Sequence, residues 1–165
     1  MDPAVGLVQS YLRLNGFLTA TEFPVLSKGR HALVSITDID VLAVRFPNAQ
    51  HWISGRSAGA IQLENDPVLD IEPHCLQMII GEVKEGPAKL NARAYAPAVI
   101  ETAIRRFGCC EEDPREVALR VVQSGAAETH IGTLECRIRM MVFGGSGSGD
   151  SSDYDYVGLR HIAEY

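Results

Sequence analysis

Apolar and polar positions change period several times along the chain. Over residues 2–14, Val5, Leu7, Val8, Leu12 and Leu14 recur at helical spacing, with Asp2 placed to cap the helix and Pro3 in its first turn. Asn15-Gly16 suits the C-terminal cap, where the left-handed conformation is needed. The period then drops to two. Residues 17–26 predict a strand that Pro24 restricts to a sheet edge or a bulge, and residues 27–30 predict a turn. Alternation resumes in residues 31–46, through Ala32, Val34 and Ile36 and then Ile39, Val41 and Ala43, until Pro47 stops it. Residues 48–73 hold Gly55, Gly59, Pro67 and Pro73 and predict an irregular insertion with at most a short helix.

A third strand is predicted over residues 76–85, followed by a helix over residues 88–107 that Pro97 kinks or splits and Gly108 ends. Residues 117–124 and 134–143 predict two further strands joined by residues 125–133. Three successive strands form an antiparallel meander, and the helix after them allows a right-handed crossover to a parallel neighbour. The expected fold class is therefore α/β, a mixed sheet flanked by helices. Residues 1–143 make the domain. Residues 144–153 read as a flexible Gly/Ser linker. Residues 154–165, with Tyr156, Val157, Leu159 and Ile162, read as a short helix packing back on the domain.

Composition narrows the function. A hydrophobic content of 46% with 22% charged residues is that of a folded globular chain. No apolar run reaches the roughly 20 residues that span a bilayer, and the N-terminus lacks a signal-peptide pattern. The four cysteines, Cys75, Cys109, Cys110 and Cys136, form no CxxC pair and read as reduced thiols of a cytoplasmic protein. A zinc site from His74, Cys75 and the adjacent Cys109-Cys110 pair suits tetrahedral coordination poorly. The formal net charge of −6 counts against nucleic-acid binding, although charge placement at the contact decides affinity. The glycine run over residues 145–149 lacks the Lys and Ser/Thr of a phosphate-binding loop.

The chemistry concentrates in two strands. Glu82 and Lys84 stand one residue apart at the polar end of an apolar run, so they share a face while Val83 points to the core. A Glu-x-Lys alone is usually a surface ion pair. Asp40, inside the preceding apolar strand, changes that reading. Two carboxylates on adjacent strands can bind Mg²⁺, or Mn²⁺, which keeps waters and takes only one or two protein carboxylates. Lys84 beside them could orient or help deprotonate an attacking water, or stabilise charge developing on phosphorus. Lys89 and Arg93, four apart on the following helix, with Arg105 and Arg106, could meet phosphates. Trp52 could stack on a base, though such a residue is more often a local anchor. His130 and His74 have no evident partners.

Asp40 followed by Glu82-Val83-Lys84, in this context of strands and a following helix, resembles the signature of the PD-(D/E)xK nuclease superfamily. The resemblance covers roughly residues 5–122 and implies a restriction-endonuclease-like αβββαβ core. It implies that Asp40 and Glu82 are metal ligands, that Val83 lends its backbone carbonyl and that Lys84 is catalytic. It also implies an acidic residue from the first helix or the next strand. Asp2 is the helix's only acidic residue, and Glu22 is the better candidate. Asp38 corresponds to an accessory acidic residue two before the metal aspartate. The implied activity is Mg²⁺-dependent hydrolysis of phosphodiester bonds in DNA, by a homodimer or a subunit of a larger complex. The alternative is an inactive module of the same fold, serving as a binding or scaffold subunit. Ile39 stands where the proline of the family name is expected.

Overall fold

The structure, a computed structural model, describes residues 2–29, 32–55, 59–87, 94–146 and 154–165. The chain opens with helix α1 (Pro3–Leu14), capped by the Asp2 carboxylate, which accepts the Ala4 N–H at 2.8 Å. Strands β1 (Leu18–Lys28), β2 (Leu33–Arg45) and β5 (Leu76–Pro87) form the expected antiparallel meander. Between the last two lies a two-stranded hairpin, β3 (His51–Gly55) and β4 (Gly59–Leu63), and then a 3₁₀ turn (Pro67–Leu69). Helices α2 (Pro97–Phe107) and α3 (Pro114–Ser124) follow, then β6 (Ala126–Ile131), β7 (Leu134–Ser146), β8 (Asp155–Gly158) and α4 (Leu159–Glu164).

The main sheet runs β1-β2-β5-β7-β6, with β8 also paired to β7. β5 and β7 are parallel, as are β7 and β8, while the other pairs are antiparallel. β1 is an edge strand, consistent with Pro24. The sheet is covered on both faces. On one, Leu42, Met78, Ile80, Ile138 and Met140 pack with Val99, Ile100 and Ile104 of α2 and Val117 and Val121 of α3. On the other, Val41, Ile79, Met141 and Phe143 pack with Val5, Val8 and Leu12 of α1 and Ile162 of α4. Burial on both faces explains why β5 and the end of β7 are continuous apolar runs rather than alternating ones.

Several expectations are corrected. Residues 117–124 are helical. Asp113 caps α3 through the Arg115 N–H, Pro114 takes the first turn, and Val117, Ala118 and Val121 form its buried stripe. A short apolar run carries no decisive period; the caps bound the helix, and burial of its stripe settles the outcome. Residues 125–133 contain β6, which pairs with β7 as a hairpin. The irregular insertion over residues 48–73 holds the β3–β4 hairpin. The final helix is shorter than expected because residues 155–158 add to the sheet edge as β8.

The long helix of residues 88–107 begins at Pro97, whose fixed φ suits a first turn and not a helix interior. It stops at Gly108, at φ 65°. Residues 88–93 lie outside the described residues. The first residues assigned to the Gly/Ser linker, 144–146, continue β7, and 147–153 lie outside the described set. Among the described residues, no helix is long and apolar enough to cross a membrane.

Candidate functional site

β2 and β5 stop pairing just short of Asp40 and Glu82. Their ladder runs from Arg45↔Gln77 to Val41↔Gly81, and the next opposed positions are Asp40 and Glu82. Gly81 allows the approach, because a Cβ there would sit 3.0 Å from the Phe143 ring and 3.4 Å from the Val41 carbonyl oxygen. Beyond it, the Asp40 side chain takes over from the ladder. Its Oδ2 accepts the Val83 N–H at 2.7 Å. Lys84 Nζ lies 2.5 Å from Glu82 Oε1. These contacts engage one oxygen of each carboxylate.

Burial sets the electrostatics. Glu82 is 4% exposed. Burial pushes its carboxyl above the usual range, Lys84 draws it down, and Asp40 pushes it up again. Asp40 is also raised, by burial first, against the opposing pull of the Val83 N–H and Lys84. Asp2 and Asp38 push Asp40 in the same upward direction. A buried and a half-buried carboxylate at adjoining strand positions, with one ammonium on Glu82, leave an excess of negative charge that a hard cation would relieve. Among the described residues there is no group of three or more His, Cys, Asp or Glu side chains placed for a metal. A pair of carboxylates with the Val83 carbonyl nearby is still an adequate oxygen set for Mg²⁺ or Mn²⁺, which retain waters.

The structure therefore brings Asp40, Glu82 and Lys84 together. Glu22 falls beside Asp40 in the β1–β2 register, between Thr21↔Val41 and Phe23↔Ile39, and is exposed. Its backbone is left-handed, at φ 52°, a conformation that non-glycine residues adopt at a cost of about 1–2 kcal/mol. Asp38 is exposed, with the Ser35 hydroxyl 3.3 Å from its Oδ1. Lys89 and Arg93 lie outside the described residues. Arg105 is paired with Glu101 at 2.8 Å, and Arg106 stacks over Phe23 at 6.0 Å. Trp52 is exposed on β3, its indole N–H donating to Gln50 Oε1.

Two residues near the site carried weaker signals or none in the sequence. Asp2 reads there as a helix cap and as the first helix's only acidic candidate, set behind Glu22, and in the structure its charge acts on Asp40. Tyr95 stands in the turn before α2, where no motif marks it. Its ring is buried and its hydroxyl feels both carboxylates.

A cleft of about 430 Å³ lies at the other end of β5, lined by Glu72, Cys75, Glu112, Thr129, Cys136 and Arg137 among others. It is a weaker candidate. Burial raises the Cys75 and Cys136 thiols, which disfavours the nucleophilic thiolate. Arg137 is already held by Asp70 and Glu72.

Compared with protein-family models, curated proteins and solved structures, the chain matches none of them.

Proposed function

We propose that this chain is a Mg²⁺-dependent nuclease with a restriction-endonuclease-like core, hydrolysing phosphodiester bonds in DNA. One observation carries the reading: Asp40 and Glu82 face each other at the point where β2 and β5 part, with Lys84 on Glu82 and Val83 tied to Asp40. The order of one helix, three meander strands, helices and a parallel strand supports the αβββαβ core. β7 takes the place beside β5, and the inserted β6 lies outside it.

Asp40, Glu82 and the Val83 carbonyl would hold the cation. Bound there, Mg²⁺ would polarise a phosphoryl oxygen and lower the pKa of a water. Glu82 holds the Lys84 ammonium within the site, where it can orient the attacking water and stabilise charge developing on the phosphoryl group. The Val83 N–H bond fixes the Asp40 rotamer, so the carboxylate is positioned before any ligand arrives.

The test is cleavage of single-stranded, duplex and branched DNA with Mg²⁺ or Mn²⁺. Asp40→Ala, Glu82→Ala and Lys84→Ala should each abolish cleavage, while circular dichroism shows the fold retained. A wild-type chain that cuts none of these substrates would sink the proposal. The second reading, an inactive module of the same fold in a larger complex, is favoured by the net charge of −6. Calorimetry separates the two, because the nuclease requires divalent-ion binding that disappears in Asp40→Ala and Glu82→Ala.

A further inference from the structure

The β1–β2 hairpin outruns the sheet it belongs to. The ladder between β2 and β5 ends at Val41↔Gly81, while β1 and β2 stay paired as far as Lys28↔Leu33. Among the described residues, β2 from Leu33 to Asp40 pairs with β1 alone, so a two-stranded arm extends beyond Asp40. Val25 and Ile39 at its base are still buried. The register then shifts between Val25 and Leu26, and such a bulge re-aims the side chains around it. From there to the tip, Leu26, Leu33, Val34 and Ile36 are between 49% and 69% exposed. A two-stranded ribbon is marginal by itself in water, and this one carries its apolar side chains uncovered.

Area and charge point to the cover. The four aliphatic side chains leave on the order of 300–400 Å² of apolar surface free, on the scale of the largest patch of a typical monomer. Two such patches closed about a two-fold axis, with their polar rims, approach the roughly 1,000 Å² of a specific interface, enough for a reversible dimer and too little for an obligate one. Charge is segregated along the arm. Residues 23–37 contain no acidic residue and two basic ones, Lys28 and Arg30, whereas Glu22, Asp38 and Asp40 stand at the base. Lys28 is exposed near the tip, and Glu22 and Asp38 are exposed at the base. A second arm laid antiparallel therefore sets basic tip against acidic base twice over, and a parallel one would set like charges together. The same acidic base would be repelled by an anionic membrane or nucleic acid. We propose that this arm is a homodimerisation surface, with Leu26, Leu33, Val34 and Ile36 packing on the same residues of a second copy and the two arms antiparallel. The assignment does not depend on the chemistry at Asp40 and Glu82.

Light scattering and sedimentation velocity of the full chain test it. At high concentration the mass should be twice that of one 18.0 kDa chain, falling to the monomer on dilution. The Kd should be on the order of 10 μM, as for small reversible interfaces. Val34→Lys and Ile36→Lys place a charge in the covered patch and should each raise the Kd about tenfold or more. Val68→Lys, at a similarly exposed position outside the arm, should leave it unchanged. Lys28→Glu and Asp38→Lys should each weaken the dimer, and the double charge swap should restore it. All these positions are exposed, so the melting temperatures of the dilute monomers should match wild type. Rescue by the charge swap reads the interface even if a lysine variant folds poorly. A wild-type chain that stays monomeric well above that Kd overturns the proposal, and its capture by phosphatidylcholine–phosphatidylserine vesicles would assign the arm to a lipid surface instead. A dimer that survives both Val34→Lys and Ile36→Lys, or a charge swap that restores nothing, overturns it as well.

Discussion

Asp40 is placed to do two jobs, and paired substitutions separate them. In the fold, Oδ2 accepts the Val83 N–H at 2.7 Å, and Val83 is only 9% exposed. Asp40→Asn keeps an amide oxygen for that bond, whereas Asp40→Ala leaves the buried N–H unmade. Both remove the same charge, so the relief of an unfavourably buried carboxylate cancels between them. The alanine variant should be less stable than the asparagine variant by about 1–3 kcal/mol. For a chain of this length each kcal/mol moves the melting temperature by roughly 2–4 °C, so the gap should be roughly 2–12 °C.

The asparagine variant has its own sign. Burial raises the Asp40 carboxyl in the folded state. Its contribution is therefore present below the ordinary carboxylate pKa and lost as pH rises through the folded value. Asp40→Asn should be at least as stable as wild type at neutral pH in EDTA, with the advantage fading in acid. Adding Mn²⁺ reverses the ranking. A ligand at 100 times its Kd stabilises by about 2.7 kcal/mol, and neither variant should gain it. Calorimetric melts of the three proteins, in EDTA and in Mn²⁺, read all of this. Equal stability of the two variants would refute the structural role of the Val83 bond. An asparagine variant that keeps the Mn²⁺ shift would refute the site.

Two further predictions concern the frame around the site. A Cβ on Gly145 of β7 would overlap the Glu85 carbonyl oxygen, so Gly145→Ala should destabilise by about 1–3 kcal/mol and disturb the strand that carries Lys84, seen as a lower urea midpoint with impaired cleavage. Asp66, 3% exposed, accepts from Tyr11 Oη at 2.8 Å and the Val68 N–H at 3.0 Å, and lies 2.6 Å from His161 Nε2. Burial alone would raise its carboxyl, but these hydrogen bonds win and hold it below the usual range. Its contribution is present above the ordinary carboxylate pKa and lost as pH falls through the folded value, so Asp66→Asn should flatten the acid limb of a stability–pH curve between about pH 5 and pH 2.

Where the local signal was redundant, the chain alone was legible. Helix α1 has a cap, a proline, an apolar stripe and a C-terminal Asn-Gly, all agreeing. The meander strands show unbroken apolar runs or alternation, and the Glu82-Val83-Lys84 triplet follows from strand period alone. Two-residue periodicity also put Asp40 within an apolar strand. It could not say that Asp40 would stand opposite Glu82, because register depends on how two distant segments pair.

Tertiary packing settled the remainder. VALRVVQS is helix or strand by composition, and burial of Val117, Ala118 and Val121 against α2 and the sheet chose helix. Strands β6 and β8 have weak patterns because they border the sheet, and β7 supplies the hydrogen bonds that their own sequences do not demand. Asp2 and Tyr95 belong to the site for the same kind of reason. Asp2 shows in the sequence only as a cap and a weak acidic candidate and Tyr95 not at all, and folding brings the charge of the one and the ring of the other within electrostatic reach of Asp40.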